Sequence, residues 1–109
     1  KTAEYREYAE KSKDRTEADT QKLNVQLMAV FTEFGTMRAL PPESEQVQAQ
    51  VQKLQRFITE NFYTCTNEIL YSLGKMYAGG GDFTENIDKA GGNGTAEFVY
   101  AAIRAYCKP

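Results

Sequence analysis

The chain has 109 residues, 41% of them hydrophobic and 26% charged, the length and balance of one globular domain. Its net charge of −2 offers no broad attraction to phosphate, which argues against a nucleic-acid surface. It contains no histidine, so no Ser-His or Cys-His nucleophile can be built and no imidazole can move protons near neutrality.

The N-terminal stretch KTAEYREYAEKSKD lacks the apolar segment of a signal peptide, and no run approaches the roughly 20 apolar residues that span a bilayer. Ala3 to about Lys13 is helix-prone and charged, and Tyr5 and Tyr8 are its only sizeable apolar groups. Such a helix needs a partner surface or a ligand to stay folded. Thr16 and Asp19 have the spacing of a capping box with Asp in place of Glu. Behind them Leu23, Leu27, Val30, Phe31 and Phe34 recur at helical spacing to about Met37.

Pro41-Pro42 ends that helix, and Ser44 is the expected cap of the next. Val47, Val51, Leu54 and Ile58 then form one narrow stripe on a glutamine-rich cylinder. The stretch from about Glu60 to Ala78 is the most apolar and reads as the centre of the fold. The sequence leaves open whether it continues the preceding helix or kinks near Asn61. Gly79-Gly80-Gly81 stops it. A short helix is expected over roughly Glu85 to Lys89, capped by Thr84 or Asp82. After Gly91, Gly92 and Gly94, a last helix runs from Ala96 to about Tyr106, capped by Thr95, with Val99, Ala102, Ile103 and Tyr106 on its apolar side. No period-2 stretch occurs, so the expected fold is all-α with five to six helices.

Helix termination accounts for both glycine clusters. GGGDFTE lacks the Lys-Ser/Thr of a phosphate loop, and GGNGTAE follows a helix rather than a strand. Acidic pairs such as Glu4/Glu7 and Glu43/Glu45 fall on stretches expected to be solvated. Glu68 is the one carboxylate placed among apolar neighbours, and solvent exposure or a capping role is its simpler reading. Cys65 and Cys107 make neither a zinc site nor a disulfide scaffold, and without an export signal they are expected to be reduced, in the cytoplasm. No metal, cofactor or membrane contact is expected.

The positive signal is aromatic: seven tyrosines and six phenylalanines, with no tryptophan. Phe31, Phe34, Phe57 and Phe98 read as core. Tyrosine couples a flat apolar face to one hydroxyl, the equipment of a cleft for a large, mostly apolar molecule. Met28, Met37 and Met76 would let such a cleft adapt in shape.

The stretches N-F-Y-T-C-T-N-E-I-L-Y-S-L-G-K-M-Y (61–77), F-T-E-N-I-D (83–88) and A-E-F-V-Y-A-A-I (96–103) resemble the TipAS-type antibiotic-recognition domain. That domain lies C-terminal to the DNA-binding region of some MerR-family transcriptional activators. Thr2, Tyr5, Thr16 and Asp19 also fall where the family shows a T-x-x-Y, a capping threonine and an acidic residue. The resemblance implies a globin-like helical bundle with a deep cleft that binds bulky apolar antibiotics such as thiopeptides, closed by an N-terminal helix ordered on binding. It further implies a homodimeric parent that meets DNA only through a domain absent from this chain. In the family a cysteine immediately before L-G-x-M-Y captures thiopeptides through a dehydroalanine. Ser72 stands there in this sequence, so reversible binding is expected. Cys65 matches the family's other cysteine, one seven-residue step earlier and therefore on nearly the same helix face.

The expected function is therefore a non-catalytic effector-binding domain of a drug-responsive activator. Its expected ligand-binding residues are Tyr5 and Tyr8 from the N-terminal helix and Phe31 from the second. Phe62, Cys65, Ile69, Ser72 and Met76 follow along the central helix, with Tyr100 and Ile103 from the last. The alternatives are a helical module docking an amphipathic helix, and a carboxylate-dependent enzyme built on Glu68.

Overall fold

The computed structural model describes residues 2–108, and the elements within them are six helices. They are α1 (Ala3–Ser12), α2 (Glu17–Thr36), α3 (Glu45–Asn61), α4 (Asn67–Tyr77), α5 (Asp82–Gly91) and α6 (Thr95–Tyr106). No strand occurs among the described residues, and no helix is long and apolar enough to cross a membrane.

Local chemistry sets most of the boundaries. Thr2 caps α1 by accepting from the Tyr5 backbone N–H at 3.1 Å. The expected capping box opens α2: Thr16 Oγ1 accepts from Asp19 N at 3.1 Å, and Asp19 Oδ2 accepts from Thr16 N at 3.2 Å. Ser44 sits at the cap position of α3, but its side chain makes no bond to the helix and its Oγ is buried with no hydrogen-bond partner.

The stretch expected to form one central helix is two helices. Phe62 ends α3 with φ −123° and ψ −63°, and Thr66 starts α4 afresh by accepting from Ile69 N at 3.2 Å. Threonine hydroxyls on either side of the break hold it, since they take backbone groups that a continuous helix would use. Thr59 Oγ1 bonds Cys65 N at 3.0 Å on the near side of the break, as Thr66 does on the far side. Phe62 and Cys65 therefore lie in a connection rather than on a helix with Ile69, Ser72 and Met76. The seven-residue step from Cys65 to Ser72 crosses the break, so the shared helix face expected for the two does not exist.

The fifth helix is longer than expected, because its first turn begins straight after Gly81. Thr84 reaches backward instead of capping it, donating to Tyr77 O at 2.5 Å and accepting from Gly80 N at 2.9 Å. Gly94, with φ +87°, takes the cap position expected of Thr95. Thr95 is the first residue of α6, and Asp88 Oδ1 holds the next N–H, that of Ala96, at 2.9 Å.

The principal helix contacts pair α2 with α5 and α4 with α6, and α3 lies against both α2 and α6. The core contains the predicted α3 stripe, Val47, Val51, Leu54 and Ile58, and most of the α2 stripe, Leu27, Val30, Phe31 and Phe34; Leu23, at the N-terminal end of that stripe, is only partly buried and lies outside the core. Cys65, Leu70, Tyr77, Ile87, Ala96, Val99, Ala102 and Ile103 complete it. Phe57 and Phe98 pack against this core only partly buried. At the α2–α5 crossing two glycine backbones touch: a Cβ on Gly35 would stand 2.2 Å from the Gly91 carbonyl oxygen. The helix α1 contributes no buried residue and stands outside these pairings.

The L-G-x-M-Y and F-T-x-N-I-D elements are explained by this packing. A Cβ on Gly74 would stand 3.0 Å from the Tyr100 ring, so glycine is what lets α4 and α6 close. Tyr77 lies edge-on to Phe31 at 5.2 Å and against Phe83 at 5.1 Å, while Ile87 is fully buried. Thr84 ties the end of α4 to α5 through Tyr77 O and Gly80 N, and Asp88 holds the start of α6 through Ala96 N. These signatures specify a scaffold.

Candidate functional site

Polar bonds, with little apolar burial, hold α1 across the α3–α4 connection. Lys11 Nζ donates to the carbonyl oxygens of Thr59 at 2.5 Å and Glu60 at 3.4 Å, and the Arg15 guanidinium donates to that of Asn61. These carbonyls belong to the last turn of α3, which has no intrahelical partner for them and carries the negative end of the helix dipole. Glu7 bonds the far side of the connection. Its carboxylate accepts from Thr64 N at 3.0 Å and from Thr64 Oγ1 at 2.7 Å. The hydroxyl bond, then the backbone bond, hold the Glu7 carboxyl below its ordinary value of 4.5. The Glu4/Glu7 stretch was expected to be merely solvated; Glu7 is instead an anchor.

Between these anchors lie rings. Tyr8 meets Phe62 with centroids 6.2 Å apart, the Arg15 guanidinium sits 5.6 Å from the same ring, and Phe62 is edge-on to Phe57 at 5.9 Å. Tyr63 and Cys65 continue the surface inward. Burial, then the neighbouring Cys65 and Glu4, raise the Tyr63 phenol above its ordinary value. Tyr77 is likewise raised by burial, with smaller contributions from Tyr63 and Cys65. Tyr63 and Cys65, in the turn that α1 covers, thus lie near the buried Tyr77. The turn is pinned from behind, where Gln55 Nε2 donates to Cys65 O at 2.8 Å and to Asn67 Oδ1 at 2.9 Å, and Tyr106 donates to Gln55 Oε1 at 2.8 Å.

The ten expected site residues fall in three places. Tyr5, Tyr8, Phe62 and Cys65 belong to α1 and the turn under it; Tyr5 is 55% exposed and Tyr8 45%. Phe31 and Ile103 are fully buried core residues and line no surface in this structure. The remaining four are spread around α4. Ile69 is partly buried, Ser72 and Met76 are exposed, and Tyr100 stands on the α6 side against Tyr71 at 6.0 Å. Tyr63, Thr64, Glu7 and Lys11 were missed. The i, i+4 spacing of Glu7 and Lys11 beside Tyr8 was the available signal, since it gives α1 one polar face with a ring in it.

The nucleophiles and carboxylates near the site are placed as follows. Burial, and secondarily Cys107, push the Cys65 thiol up to about 11, so almost none is thiolate near neutrality. Ser72 is an exposed hydroxyl in a chain without histidine. Glu68 is exposed in the first turn of α4. Among the described residues no three His, Cys, Asp or Glu side chains are placed to share a metal ion.

An all-α scaffold carrying an aromatic surface under a weakly buried helix defines the class, a helical ligand-recognition domain. More particularly, the chain belongs to the TipAS antibiotic-recognition domain family, whose family model matches residues 1–106. It is 28% identical over 106 residues to the HTH-type transcriptional activator mta of Bacillus subtilis (strain 168), covering 94% of this chain and 41% of that protein. The chain thus spans less than half of that relative's length. Among solved structures it resembles TipAS of Streptomyces lividans in complex with nosiheptide, from a thiopeptide antibiotic multidrug resistance system. The TM-score is 0.83 and the identity 29%, over 100% of this chain and 79% of that one.

Proposed function

We propose that this domain binds bulky, largely apolar antibiotics of the thiopeptide kind, reversibly, between α1 and the α3–α4 connection. The observation that carries the reading is the attachment of α1. A helix with no buried residue is kept in place by bonds from Glu7 and Lys11, with Arg15 bonded just beyond its end, over rings from Phe62, Tyr63 and Phe57. Such a helix can lift without disturbing the core, and an apolar ligand supplies the burial that it lacks. The likeness to TipAS holding nosiheptide supports the same reading. Tyr5, Tyr8, Phe62, Tyr63, Cys65 and Ile69 are assigned to this site, with Ser72 and Met76 on the exposed side of α4 at its margin.

The role is recognition rather than catalysis, in the cytoplasm. The parent protein is a homodimeric activator that meets DNA through another domain, in keeping with the likeness to mta. Ligand binding fixes α1, and the fixed helix is what the rest of the parent reads.

Titration with nosiheptide, followed by amide exchange over residues 1–20, tests this. Protection of α1 should rise with ligand, and Tyr8→Ala should weaken binding about tenfold, the loss of one ring from a ligand contact. No binding below about 100 µM, or binding that leaves α1 exchange unchanged, overturns it.

A further inference from the structure

Glu4, Glu7, Tyr8 and Lys11 recur at three and four positions along α1 and so share one helix face. Three of the four meet the α3–α4 connection. Glu7 bonds Thr64, Tyr8 lies 6.2 Å from the Phe62 ring, and Lys11 bonds Thr59 and Glu60. Glu4 is the fourth, one turn nearer the start of the helix, and like Glu7 it is partly buried where α1 is otherwise mostly exposed. It lies within electrostatic reach of Tyr63, whose phenol is raised first by burial and then by Cys65 and Glu4. The helix dipole favours an acid in this first turn whichever way it points, so the face on which Glu4 lies is what counts.

The other charges of that face are already engaged. Glu7 accepts two hydrogen bonds, while Lys11 and Arg15 donate to carbonyls at the end of α3. Among the described residues Glu4 has neither a hydrogen bond nor an ion pair; the ion pairs there are Lys13–Glu10 and Lys53–Glu33. A carboxylate without a partner therefore borders the surface made by Tyr8, Phe62 and Tyr63. That surface already holds one cation at its edge, where Arg15 stands 5.6 Å from the Phe62 centroid. Aromatic faces beside an unpaired carboxylate attract a cation and repel an anion.

We infer that Glu4 selects the charge of what binds under α1: the site favours aromatic ligands that bear a positive group, rings against Tyr8 and Phe62 and the cation toward Glu4. This role of Glu4 rests on the α1 site proposed above and adds to it a preference for charge. Three probes share one flat ring system and differ in charge at neutral pH: 9-aminoacridine is a cation, acridine is neutral and acridine-9-carboxylate is an anion. Each is titrated into the full chain and followed by ¹H–¹⁵N correlation spectra. The cation should bind about fivefold more tightly than acridine, the scale of one exposed ion pair, and the anion most weakly. Glu4→Gln should weaken the cation about fivefold and leave acridine unchanged. Glu10→Gln removes the same charge from an exposed side chain paired with Lys13 and should leave the order of the three unchanged. Tyr8→Ala should weaken all three. Retained dispersion of the spectra checks that each variant is folded. Equal binding of cation and acridine, a Glu4→Gln that spares the cation, or one that weakens all three alike overturns the role of Glu4, even where Tyr8→Ala still marks the site. Shifts outside residues 3–15 and 57–66, with no effect of Tyr8→Ala, overturn the α1 site itself and the role of Glu4 with it.

Discussion

Glu7 and Cys65 lie on the same turn-spanning surface and titrate in opposite senses, each with a consequence that can be measured. Glu7 gains two bonds from Thr64 only when α1 is docked, so its carboxyl titrates lower in the docked state. A lowered acid contributes fully above its ordinary value of 4.5, and the contribution is lost as pH falls through the docked value. Amide protection of residues 3–12 should therefore fall on acidification below about 4.5, ahead of the core. Glu33 is also lowered, first by its bond from Lys53 at 2.8 Å and then by Gln50, so some loosening between α2 and α3 accompanies it. Glu7→Gln should remove most of the pH response of α1; an unchanged response would put the anchor elsewhere.

Cys65 is 5% exposed with its thiol near 11, so iodoacetamide at pH 8 should leave it unmodified over hours. Ser72 is its exposed counterpart. The variant Ser72→Cys places a reachable sulfur at the position where the family captures thiopeptides. Its thiolate can add to a dehydroalanine β-carbon while the α-carbon takes up a proton. Mass spectrometry should find a one-to-one adduct with that variant and none with the unaltered chain. An adduct on Cys65 would contradict the burial argument.

At the level of single helices, the start of α2 and the α2–α5 crossing are the most sensitive points. Thr16→Ala removes one half of the capping box and should cost about 1 kcal/mol in urea denaturation. Gly35→Ala is harsher, since the new methyl group meets Gly91 backbone that cannot rotate away. Its cost should reach or exceed the top of the about 1–3 kcal/mol usual for overpacking. Helices were legible in the sequence wherever apolar spacing or capping chemistry was local. The stripes of α2 and α3, the Thr16–Asp19 box and the glycine stops all read directly. The break at 62–66 did not, because apolar residues continue through it and the deciding bonds from Thr59 and Thr66 need the turn already formed. The same limit hid the site. Which residues face a cleft depends on how the helices pack, and so Phe31 and Ile103, both fully buried, were grouped with residues of the surface.

Over the whole molecule, two attachments of unlike strength coexist. Five helices share a core with ten large side chains almost wholly buried, whereas α1 rests on hydrogen bonds exposed to water. Surface bonds of that kind contribute about 1 kcal/mol or less each, so α1 and the core should unfold separately. The pair Glu7→Gln and Lys11→Ala should erase amide protection in α1 and shift the core's urea midpoint little, by about 0.5 kcal/mol at most. A matching collapse of both would mean that α1 is integral to the bundle.

Lys11 and Arg15 use the carbonyls that end α3, and this ties two events together. When α1 lifts, Thr59 and Glu60 lose Lys11 at once, while Arg15, in the connection between α1 and α2, keeps its bond to Asn61. Occupancy of the site is thereby written into the fraying of a helix end that need not touch the ligand, and a spectroscopic label at Glu60 would report it. Any effector that steadied that turn from the far side would, by reciprocity, favour the closed strap.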